Sequence, residues 1–301
     1  ELKVNRWYLE VSALSGKVSS IPLGEAGAGT FRRGWLGTEL ALSGGSVILP
    51  PRYGHLVEEL AGRQHQIDTT ATAIRAAMAS AGIDSPSDVH FVQIKGPAFG
   101  TDDILAARHS LVSDNAGRLM ALGRAASALG VGKALGEMPA DAAVEAAVLK
   151  DFSLFTSVGS CSAGTEVRCN EVIVVGMSRK WSGPLAIAHG VMQDALDISG
   201  IHDVLDALDM VADPQLDERQ AKRLRAGFIK CEASRNGQIR GRSHVMLTDG
   251  DIDQQRHIRG AVGAIVASVL NDTALFVSGG AEHQGPDGGG IMALIVDRET
   301  N

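Results

Sequence analysis

Lys95, Arg124 and Ser162 occur in an order that recurs further along the chain as Lys230, Arg259 and Ser278. In both cases the lysine closes a short β-prone run and the arginine follows 29 residues later, at the head of a Gly/Ala-rich helical pattern. The serine then opens a turn of small residues, Ser162-Ala163-Gly164 or Ser278-Gly279-Gly280. A serine hydroxyl is a weak nucleophile until a base takes its proton, and a neutral lysine amine can be that base. The amine must then sit below its usual ~10.4, through burial or neighbouring cations. Each arginine can supply such a charge, or grip a planar carbonyl compound through two parallel donors. The glycine-flanked turns offer backbone N–H groups to a developing oxyanion. A single strand-end lysine ordinarily keeps its head in water; the recurrence of the whole set is what points to acyl transfer at serine. A weaker copy stands at the front, where Arg33 precedes Ser43-Gly44-Gly45 and Glu25 occupies the place expected of a lysine.

The elements that would position these groups alternate. Apolar runs predict strands over 89–94, 171–175, 185–188, 227–230, 274–277 and 291–296, and small-residue or amphipathic patterns predict helices over 123–135, 191–208 and 257–270. Thr101, followed by Asp102 and Asp103, reads as a helix N-cap. Strands alternating with helices predict an α/β fold. Repeat spacing divides the chain into units over 1–54, short or incompletely represented, 55–184, carrying Ser162, and 185–301.

Composition narrows the function classes. The 301 residues carry 28 Lys and Arg against 35 Asp and Glu, a net charge of -7. With no basic stripe, this argues against nucleic-acid binding. The apolar runs are too short to span a bilayer. The three cysteines have no zinc spacing and fit a reducing cytoplasm. The loop 278–290 offers backbone carbonyls with Glu282, Gln284 and Asp287 oxygens, ligands suited to Mg²⁺ or Ca²⁺, although a tight Gly-rich turn reads equally well. His283 reads as structural, and Cys161 as core-facing rather than nucleophilic.

At these residues the sequence resembles the cyanuric acid hydrolase and barbiturase family of ring-opening amidohydrolases. The resemblance is carried by the runs 89–95, 125–130, 160–164, 230–234, 240–247 and 277–290, the last above all. It implies three structurally similar α/β units around a pseudo-threefold axis, with a central barrel-like β core and helices outside. The active site would lie where the units meet, around a small planar cyclic imide. Ser162 would be the nucleophile and Lys95 its base. Lys230 with Ser278, and Ser43, would hold the other ring carbonyls, beside Gly44, Ala163 and Gly279. Arg33, Arg124 and Arg259 would bind substrate. No organic cofactor is implied; a structural Mg²⁺ or Ca²⁺ would fall on Glu232, Ala281, Gln284, Gly285, Pro286 and Gly289. The resemblance further implies a homotetramer that opens cyanuric acid to carboxybiuret, then biuret and CO₂. Barbituric acid opened to ureidomalonate is the alternative. The front Glu25 departs from the family pattern and leaves room for a catalytically impaired binder of cyclic imides.

Overall fold

The computed structural model describes residues 8–11, 19–22, 43–47, 58–180, 183–243 and 254–298. The strands β1 (Tyr8–Val11) and β2 (Ser19–Pro22) form a separate antiparallel pair. A four-stranded sheet has the order β3 (Ser43–Val47), β6 (Glu171–Gly176), β4 (Val89–Pro97), β5 (Gly159–Gly164). A second has the order β7 (Leu185–Met192), β12 (Gly290–Asp297), β8 (Leu224–Cys231), β11 (Phe276–Ser278). Between β8 and β11 in sequence, β9 (Gln238–Ile239) and β10 (Arg242–Ser243) pair with each other.

In the first sheet only β4–β5 is parallel, and in the second only β8–β11; every other pairing is antiparallel. The two sheets therefore correspond strand for strand. A parallel pair cannot be closed by a hairpin and needs a crossover. That crossover is α2 (Thr101–Ala106) with α3 (Ala116–Leu135) in the first unit, and α6 (Gln254–Leu270) in the second. Arg124 and Arg259 ride on these crossover helices. Asn115 caps α3, its Oδ1 accepting from Arg118 N at 2.8 Å, so the helix starts earlier than its small-residue pattern suggests. Gly100, not Thr101, precedes α2, and its N–H donates to Asp103 Oδ2 at 2.9 Å.

The central strands β4, β6, β8 and β12 are buried on both faces for most of their length, so they read as nearly continuous apolar runs. Outside the first sheet, α1 (Gln64–Ala81) and α3 bury Ile74, Ala77 and Val131 against Val92, Ile94 and Val174. These helices approach closely because of Gly130, where an added Cβ would lie 2.7 Å from Thr70 Cβ. Outside the second sheet, α4 (Ile198–Asp206) and α6 pack Val204, Leu205, Val262 and Val266 on Ile229, Met292 and Leu294. The short α5 (Glu218–Ala221) precedes β8. The inner faces meet each other through Phe91, Ile173 and Val175 against Ile187, Phe228, Ile291 and Ala293. The Phe91 and Phe228 rings stack at 4.7 Å, each burial contributing roughly 1.5–3 kcal/mol.

The helices thus lie outside as expected, but the β core differs from the barrel. Among the described residues there are two open sheets packed face to face, because the inner apolar faces satisfy each other without closure. Two units of matching topology are visible. β3, within the unit drawn over 1–54, pairs with β6 of the unit drawn over 55–184. The boundary at 184 falls between β6 and β7. The helix expected over 191–208 shortens to α4, since β7 runs on to Met192 to complete its pairing with β12. No helix among the described residues is long and apolar enough to cross a membrane.

Candidate active site

Parallel pairing places Lys95 directly beside Ser162 on β4 and β5. It places Lys230 directly beside Ser278 on β8 and β11. Side chains two residues apart share a sheet face, so Lys95 follows Phe91 and Lys230 follows Phe228 onto the inner faces. Both Lys–Ser pairs therefore open on the seam between the sheets.

The two lysines differ in state. Lys230 is 1% exposed, and its Nζ donates to Ser278 Oγ at 3.2 Å and to the Cys161 carbonyl at 2.9 Å. Burial, then the Arg124 charge, pushes its pKa down to about 8. Lys95 instead pairs with Glu166, Nζ to Oε1 at 2.9 Å, while Ser162 Oγ donates to the Ile94 carbonyl at 3.3 Å. The hydrogen bond from Lys95 holds the Glu166 carboxyl below the usual range. The depressed amine that the motif calls for is thus found at Lys230.

Arg124 Nε and Nη2 grip the Glu282 carboxylate at 2.9 and 2.5 Å. Burial opposes both charges, but the pair outweighs it, so Arg124 stays above and Glu282 below its ordinary pKa. Gly280 makes room for this pair: it adopts φ +69, and a Cβ there would meet the guanidinium at 3.1 Å. Gly279 is similarly confined, with a Cβ 2.6 Å from Gln255 Oε1. Ala163 pairs with Gly96 beside Lys95.

Other expected substrate residues are not brought together. Arg259 is exposed, its Nε bonded to Gln255 O within its own helix at 2.9 Å. Ser43 and Gly44 pair with Gly176 and Val175, whereas Lys95 pairs with Glu171 at the other end of β6. That separation is roughly 16 Å along the strand at ~3.3 Å per residue. Arg33 lies outside the described residues.

The loop expected to hold a cation surrounds Glu232. Its Oε2 is buried without a hydrogen-bond partner, and burial and Glu282 push its carboxyl up to about 7. Its Oε1 accepts from Arg235 at 2.7 Å. Glu232 N donates to Gly289 O, Gly289 N to Pro286 O, and Gln284 N to Ala281 O. A buried carboxylate oxygen without a hydrogen-bond partner is one ligand that would suit a hard cation. Among the described residues, no three His, Cys, Asp or Glu cluster to hold a metal; one carboxylate with carbonyls is a different donor set. His283 bridges loops, Nε2 accepting from Leu149 N at 3.0 Å and Nδ1 facing Leu154 O at 2.6 Å. Burial pushes the Cys161 thiol up to about 12, which suits a core residue rather than a nucleophile.

Glu166, the pairing of Glu282 with Arg124, and the pairing of the Gln284 amide with Cys161 were missed by sequence reasoning. Their partners lie far away in the chain, so no local spacing announces them.

A sequence profile described as "amidohydrolase ring-opening protein" matches residues 51–297. The chain is 44% identical over 243 residues to a cyanuric acid amidohydrolase of Azorhizobium caulinodans, covering 80% of this chain and 66% of that protein. It is 44% identical over 244 residues to one from Pseudomonas sp. strain ADP, with 80% and 66% coverage. The chain thus spans just under two thirds of the length of these relatives. The solved cyanuric acid hydrolase of A. caulinodans superposes with a TM-score of 0.76 at 42% identity, covering 86% of this chain and 71% of that one. A second solved cyanuric acid hydrolase, described as an evolutionary innovation by structural concatenation, gives 0.76 at 40% identity, with 85% and 68% coverage.

Proposed function

The chain belongs to the ring-opening amidohydrolase family, and we propose that it hydrolyses a C–N bond of a planar cyclic imide, cyanuric acid first. The observation that carries this reading is the paired register: Lys95–Ser162 and Lys230–Ser278 occupy equivalent places in two facing sheets.

In this reading Lys95, released from Glu166 and having lost its proton to solvent, is a neutral amine, and it accepts the Ser162 hydroxyl proton as Oγ attacks a ring carbonyl carbon. The C–N bond breaks as Lys95 returns that proton to the departing ring nitrogen, leaving an acyl-enzyme ester. Water, deprotonated by the same amine, then cleaves the ester and frees Ser162. Backbone N–H groups at the Ala163-Gly164 end of β5 face the oxyanion. Lys230 and Ser278 hold a second carbonyl, and Arg124, braced by Glu282, contributes positive potential. The product from cyanuric acid is carboxybiuret, which loses CO₂ to give biuret. Roles for Arg33, Ser43, Gly44, Gly279 and Arg259 rest on the resemblance. A hard cation on Glu232 and the carbonyls of Ala281, Gln284, Gly285, Pro286 and Gly289 would neutralise the buried carboxylate and brace the loop. A homotetramer in the cytoplasm belongs to the same reading.

A second reading makes Ser278 the nucleophile and Lys230 its base. The 3.2 Å hydrogen bond and the amine at about 8 favour it. Ring opening of cyanuric and barbituric acids, followed by mass spectrometry of the acylated serine, tests both. Acylation of Ser162 and inactivity of Ser162→Ala are expected; acylation of Ser278 transfers the role. Tight cyclic-imide binding without ring opening would mark the chain as a binder.

A further inference from the structure

Among the described residues β5 is an edge strand, with β4 as its sole ladder neighbour. An edge leaves backbone groups facing away from the sheet in need of partners. At Cys161, directly ahead of Ser162, both are met from the second unit. The N–H donates to Gln284 Oε1 at 2.6 Å, and the carbonyl accepts from Lys230 Nζ at 2.9 Å. Gln284 is fully buried. Its Nε2 donates to the carbonyls of Gly280 and Glu282, each at 3.2 Å. Those two bonds fix the amide orientation and leave Oε1 to face Cys161. The Gln284 side chain therefore spans the two serine turns, touching the residue before Ser162 and the last glycine of Ser278-Gly279-Gly280. Its backbone is held to the same strand approach, since Thr156 N donates to His283 O and Gly285 N to Thr156 O.

We propose that Gln284 is a positioning residue whose side-chain amide acts as the partner of the Cys161 backbone and sets the separation of Ser162 from the Ser278 turn. The proposal rests on Ser162 being the nucleophile for its kinetic consequence, and on the geometry alone for its structural one. An attacking oxygen displaced by a fraction of an ångström loses reactivity more than affinity.

The test compares the wild-type chain with Gln284→Met, which keeps the volume and removes all three bonds, and Gln284→Glu, which keeps an acceptor for Cys161. Amide hydrogen exchange needs no turnover. At least tenfold faster exchange of the Cys161 amide is expected in Gln284→Met, with near wild-type exchange in Gln284→Glu and no change in β7 or β12. Unchanged exchange at Cys161, or equal acceleration through every strand, overturns the proposal. If Gln284→Met does not fold, Gln284→Asn, one methylene too short, should show the same local effect at threefold or more, and its absence is equally decisive. In turnover of cyanuric acid, kcat should fall at least tenfold in Gln284→Met with KM within threefold, and Gln284→Glu should recover activity as pH falls and its carboxyl becomes neutral. A change in KM alone overturns the positioning role. A wild-type chain that opens no ring sinks the hydrolase reading by itself, and the exchange measurement still decides the inference.

Discussion

The amine of Lys230 lies 2.9 Å from the carbonyl oxygen of Cys161, across the seam between the two sheets. One buried side chain thereby touches the strand of one serine and the hydroxyl of the other. Its protonation state is therefore felt by both turns. With the amine at about 8, the two readings of the site separate by sign. If Lys230 holds a ring carbonyl as ammonium, kcat/KM falls as pH rises through about 8. If it deprotonates Ser278, kcat/KM rises through the same value. The first outcome is expected, and Lys230→Met should abolish the limb altogether. A rising limb that disappears in Lys230→Met would move the nucleophile to Ser278.

Glu166→Gln frees Lys95 from its ion pair. Because Glu166 is 49% exposed, the pair contributes little to stability, and the unfolding free energy should change by less than about 1 kcal/mol. Activity near neutral pH should rise a few-fold, as the amine no longer has to leave a carboxylate before reaching Ser162. Equal kcat in both proteins across pH 6 to 9 would show, within about a factor of two, that Lys95 is not the base.

The Lys–Ser pairs were legible because each depends on local signals: an apolar run ending in lysine, a crossover helix of small residues, and a glycine turn before the next strand. Parallel pairing then does the rest, converting similar positions in sequence into adjacency in space. Arg124 with Glu282 and Cys161 with Gln284 join residues 158 and 123 positions apart, and no periodicity encodes that. Lys95 also illustrates a limit. Its place beside Ser162 follows from register, but the direction of its amine is decided by Glu166, a residue in a loop with no motif of its own. The barrel was implied by the resemblance alone; no closed barrel is seen among the described residues, and alternation tells which faces are apolar, not whether two apolar faces will close on themselves or on each other.

Gly280→Ala should couple stability to binding. The left-handed backbone at φ +69 costs a non-glycine residue roughly 1–2 kcal/mol, and the new methyl would press on the Arg124 guanidinium. A lower melting temperature is expected, together with a several-fold higher KM as Arg124 and Glu282 shift. A variant with wild-type KM would show that the Arg124–Glu282 pair does not shape the substrate site.

Acid should loosen the seam through His90 and His189, whose Nδ1 atoms are 2.9 Å apart. Burial, then the neighbouring His189, lowers His90 to about 4, with Asp88 opposing, and burial lowers His189 as well. In the unfolded chain both imidazoles titrate near ~6.5. Between those values the unfolded state binds more protons than the folded one, so stability falls as pH drops from ~6.5 towards about 4. The loss from His90 is on the order of 2 kcal/mol. Urea unfolding at pH 7, 5.5 and 4 should show this decline, and His90→Leu should flatten it while leaving the Lys–Ser pairs untouched. If the slope of stability against pH is the same in His90→Leu as in the wild type, the acid sensitivity arises elsewhere, with the buried Glu282 next to be examined: its lowered carboxyl makes stability fall as pH drops through the carboxylate range, below the histidine window.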